Sequence, residues 1–286
     1  MTRLTLVVAV LAVSSCKKDP PTAPAPPTPP VAPQRVTFGP PWLIPGTRIV
    51  ERWSNELVLP VAEGEAVSTI ERGSVNIDVA IVDGGSTAIA LHFGGVERLT
   101  GPTGQEQPEV EKASNATFSF DLQTGEALVS GMPAAPEVST LVRERLVPWL
   151  QPMAFTRALQ REPVTVGAPN SALAMAFASD FAAKERIRGT PALEVSQTEV
   201  TLSHVEGGLA TFTVKLTFTL RDAELLMRVE LQGEQVVDVA SSRVVAFEVK
   251  GPVVMEQPAT PTQGPVKRFG SWRDVLTRTV ERPDAG

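Results

Sequence analysis

Cysteine occurs once in the 286 residues, tyrosine not at all and histidine twice. A lone cysteine rules out an intramolecular disulfide. Aromatic residues make up only 5% of the chain, so stacking platforms for sugars or bases are scarce, although Trp42, Trp53, Trp149 and Trp272 remain. Positive charge is also short: 26 Lys and Arg against 32 Asp and Glu give a net charge of −6 and a pI near 5.2. Phosphate contacts need a basic surface, so nucleic-acid binding is disfavoured. Residues 4–13, LTLVVAVLAV, form an apolar run of about ten residues, short of the ~20 that span a bilayer.

Reaction chemistry is missing in the same way. The folded part holds no G-x-S-x-G elbow and no H-E-x-x-H helix. Neither His92 nor His204 has a second histidine or a cysteine at metal-ligand spacing. His92 lies out of phase with Ile89, Leu91 and Phe93, whereas His204 shares the phase of Val200 and Leu202 and reads as a core or rim residue. Asp78, Asp83 and Asp121 are scattered, without the dense spacing of a calcium loop. Gly84-Gly85, Gly94-Gly95 and Gly207-Gly208 read as turn glycines. The expectation is a non-enzymatic protein without metal or cofactor. A hydrolase would need His92 or His204 to meet a carboxylate in a cleft.

The first residues carry an address. Arg3 precedes the apolar run, and Val13-Ser14-Ser15-Cys16 follows it, as in a secretory signal segment. This resembles the lipobox of bacterial envelope lipoproteins: an aliphatic residue, two small residues, then cysteine. The resemblance implies cleavage after Ser15, with diacylglycerol and fatty acyl groups carried covalently on Cys16. It also implies an outer-membrane lipid anchor, because Lys17 rather than Asp follows the cysteine. The plainer reading of Cys16 is an incidental thiol after an ordinary signal. Two or three acyl chains anchor stably, at ~0.8 kcal/mol per buried CH₂. Residues 19–33, DPPTAPAPPTPPVAP, read as an extended tether, because proline without periodicity prevents a packed core.

What the folded part does contain is alternation. Residues 209–220, LATFTVKLTFTL, place Phe212, Val214, Leu216, Phe218 and Leu220 on one face and threonines and Lys215 on the other. Successive side chains of a strand point to opposite faces, so this is a long strand with one dry and one wet side. Strands are also expected over residues 47–60 and 65–82, over 86–93 after an Asp83-Gly84-Gly85 turn, and as a hairpin over 117–130. From residue 192 onward the pattern predicts a four-strand meander, with turns at Gly207-Gly208 and Gly233. Between these halves, helical spacing over 136–150 and an alanine-rich segment over 170–184 predict helices. The second would be capped by Asn170 or Ser171. A short helix starting near Ser271 is expected in a loosely packed, basic tail.

The sequence thus divides into a signal segment (1–15), a lipidated cysteine and tether (16–34), a β-rich domain (35–255) with a helical insertion about 136–184, and a tail (256–286). Its class is α+β, mostly antiparallel β: a large curved sheet with two or three helices packed on it. Similarity between residues 118–131 and 236–251 points to two related sheet halves. The layout loosely resembles the lipoprotein-carrier fold of the periplasm. Two functions follow: a lipid-anchored envelope protein that binds a protein partner or plays a structural role, or a carrier of lipid or another apolar ligand. The carrier would line a cavity with Phe212, Leu216, Phe218, Met227 and Phe247. The plainer alternative packs those residues against the helices.

Overall fold

The computed structural model describes residues 34–40, 45–62, 65–81, 87–111, 117–121, 127–130, 153–187, 192–221, 226–257 and 266–281. All that follows concerns residues 33–286. Val13, Ser14, Ser15, Cys16, most of the tether, the helix expected over 136–150 and the Asp83-Gly84-Gly85 turn lie outside the described residues.

The described elements are mostly strands: β1 (Arg35–Val36), β2 (Arg48–Ala62), β3 (Glu65–Ile81), β4 (Thr87–Pro102), β5 (Gln107–Glu111), β6 (Thr117–Asp121) and β7 (Ala127–Ser130). Then come α1 (Ala154–Leu159), β8 (Val164–Thr165) and α2 (Ser171–Ile187), followed by β9 (Ala192–Glu206), β10 (Leu209–Arg221), β11 (Leu226–Asp238), β12 (Arg243–Gln257) and β13 (Val266–Glu281). Eleven strands make one sheet in the order β7-β6-β4-β3-β2-β13-β12-β11-β10-β9, with β5 beside β4. Its pairings are antiparallel. Within this sheet the chain runs outward from β2 at the centre to the β7 edge, re-enters at the β9 edge and returns inward to β13, while β1 pairs with β8 in a separate two-stranded sheet.

The two halves are therefore one continuous sheet. They meet where β13 pairs β2, from Ser271 opposite Val58 to Glu281 opposite Arg48. This corrects the expectation for the C-terminal residues. They form neither a loose tail nor a short helix, but a central strand of 16 residues. The meander is as expected except at Gly233, which lies inside β11. Gly233 does not turn the chain. A Cβ there would run into the Glu248 carbonyl of β12, and Gly251 and Gly270 meet the carbonyls of Glu230 and Val58 in the same way. The real turn follows Asp238, whose carboxylate accepts from Ala240 N at 3.1 Å and Ser241 Oγ at 2.8 Å. Gly207 and Gly208, with φ of 57° and 80°, close the β9–β10 hairpin in the left-handed region that a two-residue turn needs.

Two helices are described. Asn170 caps α2, accepting from Leu173 N at 3.0 Å. The start of α1 has no cap of its own. Instead Asp180, on α2, accepts from Ala154 N and Phe155 N, both at 2.8 Å. Burial pushes the Asp180 carboxyl above its ordinary range, against the lowering effect of those two N–H groups.

Candidate functional site: the two faces of the sheet

Cross-strand pairing defines which residues share a face. Phe212 lies opposite Gln235 and Leu202, Leu216 opposite Leu231, Phe218 opposite Val229, and Leu220 opposite Met227. Gln235 then pairs with Phe247, and Phe247 with Leu276. The five residues expected to line a cavity thus do gather on one face, here called inner. Phe212, Leu216 and Phe218 are fully buried, whereas Met227 and Phe247 are half-buried.

Protein side chains cover that floor. Phe212 meets Phe38 and Phe155 at ring-centre distances of 5.9 and 5.6 Å. Phe218 meets Phe181 at 5.0 Å and the edge of Trp272 at 5.6 Å. Phe177 stands 6.1 Å from Phe247 and 6.2 Å from Phe155. Each ring buried this way contributes roughly 1.5–3 kcal/mol from burial alone. The Phe177 and Phe181 pair was visible as helical spacing. The roles of Phe38 and Trp272 were not, because both depend on contacts remote in sequence.

Across the same face the character changes from apolar to polar. Val214, Gly233 and Val249 form one row with Asp274, Asn55, Glu71 and Arg98. Lys184 reaches from α2 to Asp274 at 2.6 Å, beneath a surface where Asp274 is only 3% exposed. Arg278 pairs with buried Glu51 at 2.7 Å and donates to Val244 O at 2.9 Å. Glu71 pairs with Arg98 at 3.0 Å. Nearby, Arg243 is pushed down to about 10, first by burial and then by the Arg278 charge. The side-chain nitrogens Asn55 Nδ2, Trp272 Nε1 and Gln235 Nε2 are buried without an acceptor among the described residues. Each such group costs about 1–3 kcal/mol. Farther along, Ile49, Trp53, Val75, Ile77, Ile89 and Leu91 are buried on the same face of β2, β3 and β4.

The outer face is a lattice of ion pairs. Lys215 meets Glu199 at 3.1 Å, Arg228 meets Glu230 at 3.0 Å, Lys267 meets Glu256 at 2.8 Å, and Arg273 meets Glu248 at 3.0 Å. The Lys215 and Gln197 hydrogen bonds hold Glu199 below the usual carboxylate range. One region breaks this lattice. Phe269, on β13, is 68% exposed, beside Val254 of β12. The next pairs along are Pro252 with Ser271 and Ser271 with Val58. Val61 lies past the last β13–β2 pair and outside this region; it is 49% exposed, and Arg268, from the inner face of β13, donates to its carbonyl. No sequence signal marked this patch, because the β13 strand itself was not recognised.

The histidines stand apart from both features. His92 Nε2 lies 3.4 Å from Asp78, a carboxylate that Arg48 also holds at 2.7 and 3.3 Å. This group sits on the outer face with His92 44% exposed. His204 is exposed on β9. Among the described residues, no three His, Cys, Asp or Glu side chains converge as metal ligands, and no helix is long and apolar enough to cross a membrane.

The chain matches no protein-family model and no curated protein. Among solved structures it is similar to DynF from the dynemicin biosynthesis pathway of Micromonospora chersina, at 11% identity over 90% of this chain and 91% of that one, with a TM-score of 0.20. A DUF1329 family protein from Desulfovibrio piger aligns at 11% identity over 85% and 87% of the two chains, TM-score 0.17. MucB in complex with MucA(peri) aligns at 11% identity over 80% and 88%, TM-score 0.12. Likeness at this level fixes neither fold nor function.

Proposed function

We propose that this chain is a lipid-anchored cell-envelope protein with a binding or structural role rather than a catalytic one, and that it engages a protein partner through the outer face of its sheet. The address rests on the sequence: the signal-like run, Val13-Ser14-Ser15-Cys16 and the proline-rich tether. The outer membrane is the proposed site, with the membrane itself contacted through acyl groups on Cys16. The observation that carries the binding mode is the contrast between the two faces. Phe212 and Phe218 are closed over by the chain's own rings, whereas Phe269 stands in solvent on the outer face. Exposed apolar clusters rimmed by charge are the usual mark of interaction surfaces.

The carrier reading keeps one observation in its favour. Met227 and Phe247 are half-buried, and Leu57, Leu59 and Met255 lie partly buried beside the core. That reading requires the sheet to curve around a cavity. The line of Gly233, Gly251 and Gly270 is where such a bend would form, since glycines in strands permit close backbone approach.

Native mass spectrometry of the full chain, with extraction of any bound lipid, separates the two. The partner-binding reading predicts no non-covalent ligand, with acyl mass only on Cys16. A stoichiometric, non-covalent phospholipid or fatty acid would overturn it in favour of the carrier.

A further inference from the structure

The pair between Lys184 and Asp274 joins parts of the chain 90 residues apart. Lys184 lies near the end of α2, and Asp274 lies on β13, where the two halves of the sheet meet. Lys184 Nζ stands 2.6 Å from Asp274 Oδ2, and the side chains are 24% and 3% exposed. One side of the pair is a wall of rings. Phe181 precedes Lys184 by three residues, on the same side of α2, and packs 5.0 Å from Phe218. Phe218 packs 5.6 Å from Trp272, which precedes Asp274 by two residues on the same face of β13. Directly opposite Asp274, on β2, stands Asn55, whose buried Nδ2 has no acceptor among the described residues. An amine, a carboxyl carbon and an unspent N–H donor on one dry face are the parts of an acyl-transfer site.

We infer that Lys184 and Asp274 condense into an amide that staples α2 to the centre of the sheet. Within the pair a proton passes from the Lys184 ammonium to the Asp274 carboxylate, leaving an amine and a carboxylic acid, which an apolar wall tolerates better than two charges. Nζ then attacks Cγ, and Asn55 Nδ2 donates to the oxygen that gains charge. A C–N bond forms and a C–O bond breaks. The hydroxyl leaves with a second proton from the amine, so one water is lost and nothing is oxidised or reduced. Holding the two groups together supplies the effective concentration that such a condensation lacks in water. Burial of Asp274 keeps out the water that would reverse it. With one cysteine the chain cannot form an internal disulfide, and this bond takes that place. Closing so long a loop restrains the unfolded chain, as a disulfide does. The inference is independent of the outer-face reading and concerns the opposite face.

Peptide mapping of the full wild-type chain by mass spectrometry, after unfolding and digestion, tests this without requiring any variant to fold. The expected result is a branched peptide joining the Lys184 and Asp274 segments, lighter by one water than the two together, with loss of the corresponding linear peptides. Lys184→Arg keeps a cation in the pair but offers no nucleophile, because its guanidinium stays protonated. It should give linear peptides alone. Asp274→Asn should give a branched peptide of unchanged mass, by loss of ammonia instead of water. Asn55→Ala should lower the branched yield at a fixed time after synthesis, and an unchanged yield would overturn the role given to Asn55. Thermal melting checks that each variant is folded. Linear Lys184 and Asp274 peptides at full yield from folded wild type would overturn the inference. So would a branched peptide that persists in Lys184→Arg.

Discussion

Partly and fully buried charges constrain this fold at single residues. Asp180 holds the start of α1 from the neighbouring helix, in surroundings that disfavour its charge. Its folded value is raised above the ordinary 3.8, so in the window just above 3.8 the folded chain holds a proton the unfolded chain has released. The stability from this group is complete below 3.8 and is lost as pH rises through the raised value. Melting wild type and Asp180→Asn across roughly pH 3.5–6.5 should show wild type losing ground to the variant as pH rises. An opposite trend would mean that the two N–H bonds, not burial, dominate. Lys184 makes a second case. Lys184→Met breaks its 2.6 Å pair with buried Asp274, and removing one partner of a buried pair costs about 3–5 kcal/mol. Urea unfolding should register that loss as a lower midpoint.

Among the elements, β10 was legible and β13 was not, for reasons of chemistry. Every second residue of β10 from Phe212 to Leu220 is apolar, because that strand lies over the fully dry part of the inner face. The inner-face positions of β13 include Arg268, Gly270, Asp274 and Arg278, which interrupt the alternation. Their partners, the Val61 carbonyl, Lys184 and Glu51, come from distant parts of the chain. A period-two pattern cannot reveal a strand whose dry face is half ionic. Gly233 misled in a related way: glycine usually marks a turn, but here it admits a neighbouring carbonyl. Gly251 is held to the same constraint within β12. Gly251→Ala should therefore destabilise by about 1–3 kcal/mol or more through backbone displacement, although it adds only a methyl group. A denaturant midpoint unchanged from wild type would show that the strands can part without cost.

For the whole molecule, the meeting of β2 and β13 at the centre makes one sheet of two halves, and the proposed function assigns its two faces different roles. Of the candidate site, the inner cluster of Phe212, Leu216 and Phe218 was readable from alternation. What covers it, and the exposure of Phe269, depended on packing that no local pattern records. The central claim is that the inner face is structural and the outer face is for recognition. Thermal unfolding of Phe218→Ala beside Phe269→Ser tests it most directly. Truncating the fully buried ring should cost about 3–5 kcal/mol, whereas the exposed ring should be replaceable within about 0.5 kcal/mol. A near-neutral Phe218→Ala, or a Phe269→Ser that destabilises as much, would contradict that division.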